Sequence, residues 1–386
     1  MSWERKTWIE QYQAGERISD IAAQYQVSRR TVHKWIERFD QFGEEGLQEL
    51  SRAPQQHPRG VSAIWQERVR AARQQHRRWG AGKLRWLLEK AHGTAPSRST
   101  IGRILLESGL TRARKRVAKA QGTGPLRTAE QPNQLWSINF KGWRRTGDGR
   151  RCEPLTICDH ATRYVLCCQS LESTRTELVR PVMERVFGEY GLPERIRSDN
   201  GAPFASTGLC GLTELSVWWI ELGIAWERIA PGSPQQNGRH ERMHRSLEEA
   251  AMQPPASTQR QQQRRLEEFR RNYNEQRPHE ALQQRPPAEL YHRALREFPC
   301  RIHPPEYAGA WEERAVTSGE ARWKSQRVFV SHALNGKRIG FEPLQDALWR
   351  VWFYGQWLGV WDERRQRLYS VVEWAKQSLR AHLQDA

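Results

Sequence analysis

The sequence predicts a multidomain chain: an all-α N-terminal third, a mixed α/β core and a small C-terminal β-barrel. Its 386 residues exceed what one ordinary hydrophobic core encloses, so two to four domains are expected. The apolar pattern has a helical period up to about residue 110 and changes to short β-rich runs alternating with helices over 135–230. After about residue 315, short β-runs separated by glycines predict the barrel.

Charge and apolar content narrow the class of protein. Lys and Arg number 62 against 44 Asp and Glu, which gives a net charge of +18. This surplus favours a polyanion such as DNA as partner, although a solvated basic surface would have the same composition. No run of about 18 apolar residues and no signal-peptide pattern is present, which argues against membrane insertion. No CxxC pair occurs, and apolar runs predict buried free thiols at Cys158, Cys167 and Cys168, which fit a reducing cytoplasm.

A helix-turn-helix domain is predicted over residues 1–52. Ser19 is a natural N-cap for a short helix, residues 25–28 break that helix, and Ser28 caps a second one. The second helix has an apolar inward face of Val32, Trp35, Ile36 and Phe39. Its outward face is polar and basic at the start, as expected of a helix that enters a DNA major groove: Arg29, Arg30, Thr31, His33 and Lys34. The alternative is a plain helical hairpin with a solvated polar face.

A second helix-turn-helix domain is predicted over 60–110. Helical patterns at 62–79 and 82–92 precede Pro96, and Ser97 or Ser99 then caps a helix. That helix also begins with polar and basic residues, which are candidate DNA contacts: Arg98, Ser99, Thr100 and Arg103. The polar, Pro-containing stretch from Ser51 to Gly60 predicts a linker between the two units.

A basic linker is predicted over 111–132. It contains the cations Arg112, Arg114, Lys115 and Arg116 and runs into Gly- and Pro-containing sequence. Such a run is usually a solvated, flexible arm. Because it follows two nucleic-acid-binding units, we expect it to lie along DNA phosphates and to become ordered only with DNA.

The core, over 133–292, is predicted as a mixed sheet flanked by helices. Strands are expected at 135–140, 155–158, 162–168, 194–198 and 224–229. Helices are expected at 174–190, at 212–222, from Arg239 onward and at 259–275. The first of these helices has one apolar side: Leu178, Val179, Val182, Val186 and Phe187.

Three blocks of this core resemble, in order, the motifs of DDE transposases and retroviral integrases. Residues 198–204 resemble the second-aspartate motif, and 231–242 look like the glutamate motif. Residues 273–282 are similar to the segment that closes the core in bacterial insertion-sequence members. The resemblance implies an RNase H-like core that uses two Mg²⁺ (or Mn²⁺) ions. It also implies a homo-oligomer, dimer or tetramer, that acts on double-stranded DNA in a synaptic complex.

The chemistry of phosphodiester cleavage explains these residue types. In-line displacement is helped by two divalent cations about 3.5–4 Å apart, and such hard cations prefer oxygen ligands. Asp199 ends a predicted strand and Glu241 lies in the first turn of a predicted helix, with 41 residues (200–240) between them. An aspartate before Asn-Gly could instead serve only a turn, and an early glutamate only the helix dipole. The surrounding motifs favour a metal site.

Position 139 departs from the family pattern. The family places its first aspartate in Leu-Trp-x-x-Asp-Phe, and residues 135–140 put Asn139 there. Asparagine keeps the shape and one carbonyl oxygen but loses the charge that would bridge two cations. The predicted catalytic and metal site is therefore Asn139, Asp199 and Glu241, with severely weakened activity. The asparagine is either a change introduced to trap uncut DNA, which we favour, or natural to an inactive relative.

Three further residues near the site receive predicted roles. His244 and Arg245 follow Glu241 at i+3 and i+4, where they could approach DNA phosphates or simply form a solvated helix face. Asp159 matches a non-catalytic family position and is expected to cap the turn at 158–162.

A small SH3-like barrel is predicted over 312–370 and a C-terminal helix over 371–386, after a Pro-containing linker at 286–305. Strands are expected at 327–330, 337–341, 348–354 and 356–361. The barrel is similar to the one that follows the core in the same superfamily, where it touches DNA or a partner subunit. The candidate contacts are Lys324, Arg327, Lys337 and Arg338.

Taken together, the motifs predict a bacterial insertion-sequence transposase of the cytoplasm, associated with the nucleoid, that cleaves and joins transposon ends and target DNA. A catalytically inactive, domesticated DNA-binding or bridging protein is the alternative. Asn139 favours that alternative, whereas the intact Asp199 and Glu241 motifs oppose it. A nuclease on the same sheet is a weaker third hypothesis because it would not need two end-reading domains.

Overall fold

The computed structural model describes residues 2–49, 61–111, 128–208, 210–230, 234–307, 311–345 and 347–375. The predicted DNA contacts Arg112, Arg114, Lys115 and Arg116 lie outside these residues, as does most of the predicted C-terminal helix. The chain divides into two units, Met1–Ala63 and Ile64–Ala386. Among the described residues, none of the helices has the length and apolar character needed to cross a membrane.

The first unit is a three-helix domain: α1 (Ser2–Gln13), α2 (Ile18–Gln24) and α3 (Arg29–Phe42). Its core contains the predicted Val32, Trp35 and Ile36 together with residues of α1 and α2: Trp8, Ile9, Ile21 and Ala22. The sequence pattern missed α1, in which few apolar positions mark the buried face. The prediction of Ser19 as an N-cap is wrong. Helix α2 begins at Ile18, so Ser19 lies inside its first turn, where its hydroxyl donates to the Asp20 carboxylate at 3.0 Å.

The second unit begins with α4 (Ala63–Gln75), α5 (Ala81–His92) and α6 (Arg98–Glu107). Helix α6 starts where the sequence predicts. The Ser97 hydroxyl accepts a hydrogen bond from the Thr100 amide at 3.1 Å, so Ser97 rather than Ser99 is the cap. The buried face of these helices is apolar and includes Val69, Leu84, Leu88, Ile101 and Leu105.

The core sheet has six strands: β1 (Trp136–Phe140), β2 (Arg144–Arg145), β3 (Arg151–Asp159), β4 (Val165–Leu171), β5 (Arg195–Ser198) and β6 (Ala225–Arg228). The order of the main path is β4-β3-β1-β5-β6, and β2 pairs with the start of β3. Strands β4, β3 and β1 are antiparallel, whereas β5 and β6 run parallel to β1. This mixed sheet is the RNase H-like arrangement that the family resemblance implies.

Four helices belong to the core: α7 (Thr176–Tyr190), α8 (Glu214–Glu221), α9 (Gly238–Leu247) and α10 (Gln259–Arg271). Helices α9 and α10 each continue into a π-helical turn, Glu248–Met252 and Asn272–Gln276. Helix α7 buries Val179, Val186 and Phe187 as predicted. Leu178, however, is exposed because the buried stripe continues through Met183 and Tyr190 instead.

The two faces of the sheet bury different sets of side chains. Trp136 and Ile138 of β1 pack in one cluster with α7 and α8. Cys158 and Cys168, on the neighbouring strands, pack in another cluster with residues of α9 and α10. Since strand side chains alternate, Ser137 and Asn139 share the α9 side of β1. The predicted free, buried thiols are confirmed at Cys158, Cys167 and Cys168.

The Pro-containing stretch after residue 286 is not a free linker, contrary to the sequence prediction. Tyr291 stacks on Tyr164 at 4.3 Å between ring centroids and donates a hydrogen bond to Asn133 at 2.9 Å. The Arg296 guanidinium donates to the carbonyls of Pro193, Leu222 and Gly223. Aromatic packing and hydrogen bonds to main-chain carbonyls that follow α7 and α8 therefore fasten this stretch to the core.

The C-terminal domain is a near-closed antiparallel barrel of β7 (Glu312–Thr317), β8 (Glu320–Trp323), β9 (Gln326–Phe329), β10 (Arg338–Gln345), β11 (Leu348–Phe353), β12 (Gln356–Asp362) and β13 (Arg367–Ser370). The order is β13-β12-β11-β10-β7-β8-β9, and the two edge strands approach each other. The sequence pattern missed β7, β8 and β13, in which charged residues dilute the apolar alternation. The barrel interior is continuous with Val217 and Ile220 of α8.

Candidate active site

Strands β1 and β5, which pair in parallel, lead to two of the predicted site residues. Ser137 stands opposite Arg197 in the register of these strands, which lie about 4.8 Å apart. Asn139 follows Ser137 by two residues within β1, and Asp199 follows Arg197 by two residues, directly after the end of β5. A continuation of the same register would set Asn139 beside Asp199. Asn139 is buried within β1, and Asp199 is half-buried directly after β5.

Helix α9 contributes the third residue. His240 and His244 of this helix are buried against the sheet, where His240 Nδ1 lies 2.7 Å from Ser137 Oγ. Asn139 has the same orientation as Ser137, so it also faces α9. Glu241 is exposed in the first turn of the helix, directly after His240. Two adjacent strand ends and the helix packed on their face thus carry the three predicted residues.

The Asp199 carboxylate is the acidic group of the site that burial affects. Loss of solvent raises its pKa, and a hydrogen bond of 3.1 Å from the Gly201 amide partly opposes that rise. A nearby cation would favour the charged form of such a carboxylate. The carboxamide of Asn139 offers an oxygen but no charge. It therefore adds no negative charge to that of Asp199 for attracting a cation.

The donor set fits one divalent cation better than two. Mg²⁺ is commonly held by one or two carboxylates together with waters and substrate phosphates, and Asp199 and Glu241 supply two carboxylates. Across the described part of the chain, no group of three or more His, Cys, Asp or Glu side chains is placed to hold a metal ion. Position 139, where the motif that this chain resembles has an aspartate, offers an uncharged oxygen.

Buried polar contacts fix the loops around the site. Arg197 is 2% exposed, pairs with Glu227 at 3.2 Å and donates to the Gln236 carbonyl at 3.3 Å, which ties the turn before α9 to β5. Arg239 lies 2.9 Å from His160 Nδ1. Burial, with the nearby charges of Arg239 and Arg197, lowers the pKa of His160 to about 3, so this imidazole is neutral.

Asp159 has the structural role that the sequence predicts. One carboxylate oxygen accepts from the Thr162 amide at 2.7 Å and from the Thr162 hydroxyl at 2.6 Å. The other oxygen accepts from the Asn133 amide at 2.8 Å. These bonds cap the β3–β4 turn and occupy both oxygens.

The predicted phosphate contacts of α9 separate into two cases. His244 is 4% exposed and its Nε2 lies 2.8 Å from the Thr156 hydroxyl, so burial against the sheet excludes it from a direct phosphate contact. His244 does follow Glu241 by three residues on one helix, as the sequence prediction assumed. However, its side chain lies on the buried face of α9 and that of Glu241 lies on the exposed face. Arg245 is exposed and stays a predicted contact.

The helix-turn-helix candidates lie at the starts of α3 and α6. Arg29, Arg30, His33 and Lys34 are exposed on α3, and Ser99 and Arg103 are exposed on α6. Thr31 and Thr100 are half-buried and bond to the capping serines. Arg98 is exposed but pairs with Glu280 of the core at 3.1 Å. All of these stay predicted DNA contacts.

Each candidate cation of the barrel has an acidic partner. Lys324 pairs with Glu363 and Lys337 with Glu221, both at 2.5 Å. Arg327 lies 3.6 Å from Glu320, and Arg338 pairs with Glu313. These pairs reduce the net positive charge on the surface of the barrel.

Sequence reasoning missed the residues that hold α9 on the sheet. Thr156 is fully buried, and its hydroxyl lies 2.7 Å from His240 Nε2 and 2.8 Å from His244 Nε2. A threonine in a β-rich run carries no signal of its own. The i, i+4 spacing of the two histidines was the available clue, since such residues share one helix face.

Comparison with protein families agrees with this architecture. Two integrase core domain models match residues 129–234 and 222–287. A helix-turn-helix domain model matches 4–55, and a homeodomain-like domain model matches 31–105. The two core models together span the sheet and helices α7 to α10, and they end where the Pro-containing stretch after residue 286 begins.

Curated relatives include proteins of bacterial insertion elements. A protein of insertion element IS407 from Burkholderia multivorans is 29% identical over 231 residues, covering 58% of this chain and 80% of the relative. One of IS476 from Xanthomonas euvesicatoria is 27% identical over 220 residues, covering 56% and 61%. The Gag-Pol polyprotein of a baboon endogenous virus is 27% identical over 194 residues, covering 49% of this chain and 11% of the polyprotein.

Among solved structures, an intasome of simian T-cell lymphotropic virus matches with 15% identity and a TM-score of 0.35, covering 75% of this chain and 97% of that one. The assignment rests instead on the family models, the insertion-element relatives and the strand order described above. The chain thus has helix-turn-helix domains followed by an integrase core domain, and it is similar to proteins of bacterial insertion elements.

Proposed function

We propose that this chain binds transposon-end repeats and has a core built for metal-dependent DNA strand cleavage and strand transfer, which Asn139 silences. The observation that supports the proposal is the parallel register of β1 and β5, in which Ser137 pairs with Arg197 and the next residues but one are Asn139 and Asp199. Glu241, in the first turn of α9, completes the set. The two helix-turn-helix units provide the DNA binding that strand transfer at defined ends requires.

Asp199 and Glu241 would hold a divalent cation, Mg²⁺ or Mn²⁺, and the active form with aspartate at position 139 would hold two. The cations would activate the attacking oxygen and stabilise the leaving oxygen. The chain itself supplies the rigid frame: β1 and β5 fix two oxygen donors, and α9 carries the third. Asparagine at 139 keeps the frame and removes one negative charge, so we expect DNA binding to persist while joining is lost.

A homo-oligomer, dimer or tetramer, is part of the proposal because two transposon ends must be paired with one target. Double-stranded DNA is the proposed partner at both steps, and the cytoplasm, at the nucleoid, is the proposed location. The net charge of +18 supports a DNA partner.

The experiment compares strand transfer of a labelled transposon-end DNA by this chain and by Asn139→Asp, with Mg²⁺ and with Mn²⁺. We expect Asn139→Asp to join DNA at least about a hundredfold faster, because metal stabilisation supplies several kcal/mol and each 1.36 kcal/mol is tenfold in rate. The double variant Asn139→Asp/Asp199→Asn has the same net charge as this chain. It should be as slow as this chain if both strand positions serve the reaction.

One alternative function is favoured by a specific observation. Asn139 would suit a DNA-binding or bridging protein that derives from a transposase and needs no catalysis. In that case both forms would bind transposon ends with similar affinity, and neither would join them. That result would replace the enzymatic proposal with the DNA-binding one.

A further inference from the structure

Four buried polar side chains connect α9 to the sheet next to the candidate site. The Thr156 hydroxyl lies 2.9 Å from the main-chain carbonyl oxygen of residue 139, 2.7 Å from His240 Nε2 and 2.8 Å from His244 Nε2. Ser137 Oγ lies 2.7 Å from His240 Nδ1. We call these residues (Ser137, Thr156, His240 and His244) the Thr156 cluster. All four are at most 4% exposed.

The partners determine where the protons lie. A carbonyl oxygen only accepts, so the single hydroxyl proton of Thr156 goes to the carbonyl of residue 139. The two lone pairs of that hydroxyl then accept from two imidazoles, which requires an Nε2–H on both His240 and His244. With its proton on Nε2, His240 accepts at Nδ1 from the Ser137 hydroxyl at 2.7 Å, and this shorter contact takes the single Ser137 proton in preference to the Cys158 carbonyl at 3.4 Å. In this arrangement both histidines are neutral, and the Thr156 hydroxyl uses its proton and both lone pairs in hydrogen bonds.

Packing also holds the two histidines in place, because both are buried against the sheet. The two rings meet edge to face, with centroids 4.6 Å apart. Neutral, mutually packed rings bonded to one hydroxyl allow little rotation or sliding of the first two turns of α9.

The position of the Thr156 cluster links it to the reaction. Glu241 lies between the two histidines on α9, and the carbonyl that Thr156 binds belongs to position 139 itself. One hydroxyl therefore connects the backbone of the first catalytic position to the helix that carries the third. We propose that the Thr156 cluster consists of positioning residues that hold Glu241 in place against position 139 during strand transfer. This inference rests on the proposed function.

The test uses the full chain with Asn139→Asp, in which kcat and KM for strand transfer are measured with saturating Mg²⁺. Thr156→Val keeps the side-chain shape but removes the hydroxyl, whereas Thr156→Ser keeps the hydroxyl. We expect Thr156→Val to lower kcat at least about tenfold with KM unchanged, because small misplacements of reacting groups cost up to about a hundredfold. Thr156→Ser should retain most of the rate.

Ser216→Ala is the matched control for lost stability. Ser216 is fully buried and forms a capping box with Thr213 at the start of α8, away from the Thr156 cluster. Its loss should weaken the fold without lowering kcat of the folded protein. A second, activity-independent readout is ¹⁵N NMR of histidine-labelled chain, in which both buried imidazoles should be neutral Nε2–H tautomers.

The possible failures are distinguishable. If Asn139→Asp is inactive, the proposed function falls, and this inference falls with it. If Asn139→Asp is active and Thr156→Val joins DNA at an unchanged kcat, the positioning role alone is overturned. The same follows if Thr156→Ser is as slow as Thr156→Val, or if either imidazole proves to be the Nδ1–H tautomer.

Discussion

The two helix-turn-helix units begin their last helices, α3 and α6, with almost the same four residues, yet the two helices meet different surroundings. Ser28-Arg29-Arg30-Thr31 opens α3 and Ser97-Arg98-Ser99-Thr100 opens α6, with cap bonds of 3.0 and 3.1 Å. On α3 the cations Arg29, Arg30 and Lys34 are exposed. On α6 the first cation, Arg98, pairs with Glu280 of the core.

This difference separates what local sequence determines from what it does not. The serine cap and the polar start of each helix follow from four residues, because a side-chain oxygen satisfies an amide that the helix leaves unbonded. Whether the basic face is available to DNA depends on an acid 182 positions away from Arg98. We therefore expect α3 to supply more of the DNA affinity of the free protein than α6.

The largest effect is expected on α3. Arg30→Ala and Lys34→Ala should each weaken binding to transposon-end DNA by about 1–3 kcal/mol if they contact bases. If they contact phosphates instead, each should lower the slope of log affinity against log salt by about 1. Fluorescence anisotropy with a labelled end and a scrambled duplex, at several salt concentrations, separates the two kinds of contact.

Lys6→Ala is the control for charge alone. Lys6 lies on α1 and pairs with Glu44 at 2.6 Å, and its replacement removes one positive charge just as Lys34→Ala does. Equal losses for Lys6→Ala and Lys34→Ala would contradict groove reading by α3 and leave only a general electrostatic attraction.

The comparison also shows how far sequence reasoning reached. The start of α3, the mixed sheet of the core and the cap at Asp159 depend on local patterns or on family motifs, and each was predictable. Asn139 and Asp199 were singled out because each belongs to, or directly follows, a strand of the recognised motifs. For these features the residue type and its spacing carry the physical reason for the structure.

Other features depend on contacts between distant segments, which local patterns do not contain. The stretch around Tyr291 has the prolines of a linker, but its aromatic ring finds Tyr164 and becomes part of the core. His244 has the polarity of a surface residue, but Thr156 gives its ring a buried partner. Ser19 has the side chain of a cap, but α2 begins at Ile18, so Ser19 already lies inside the helix.

The second prediction concerns the two caps. Ser28→Ala and Ser97→Ala should each destabilise the helix start by about 1 kcal/mol, because the amide of Thr31 or Thr100 loses its acceptor. Hydrogen exchange of peptides that cover α3 or α6 should then be about fivefold faster, which is the equivalent of that free energy. Ser19→Ala is the control, since Ser19 caps no helix and its loss should leave the exchange of α2 nearly unchanged. A Ser19→Ala effect as large as that of Ser28→Ala would contradict the assigned caps.

The smallest effect is expected from the contact that distinguishes α6. Glu280→Gln should raise the affinity for transposon-end DNA by up to about fivefold, because an exposed ion pair is worth at most about 1 kcal/mol and Arg98 no longer has to leave it. Glu289→Gln is the matched control: it removes the same charge from the same segment, where Glu289 pairs with Arg285 at 3.3 Å.

A double-mutant cycle decides whether the gain passes through Arg98. In the Arg98→Ala background, Glu280→Gln should have no more effect than Glu289→Gln, since the competing partner is already gone. If Glu280→Gln raises affinity equally with and without Arg98, the acid acts on DNA only through its charge. The two helix-turn-helix units would then differ in position along the chain but not in how freely they reach the groove.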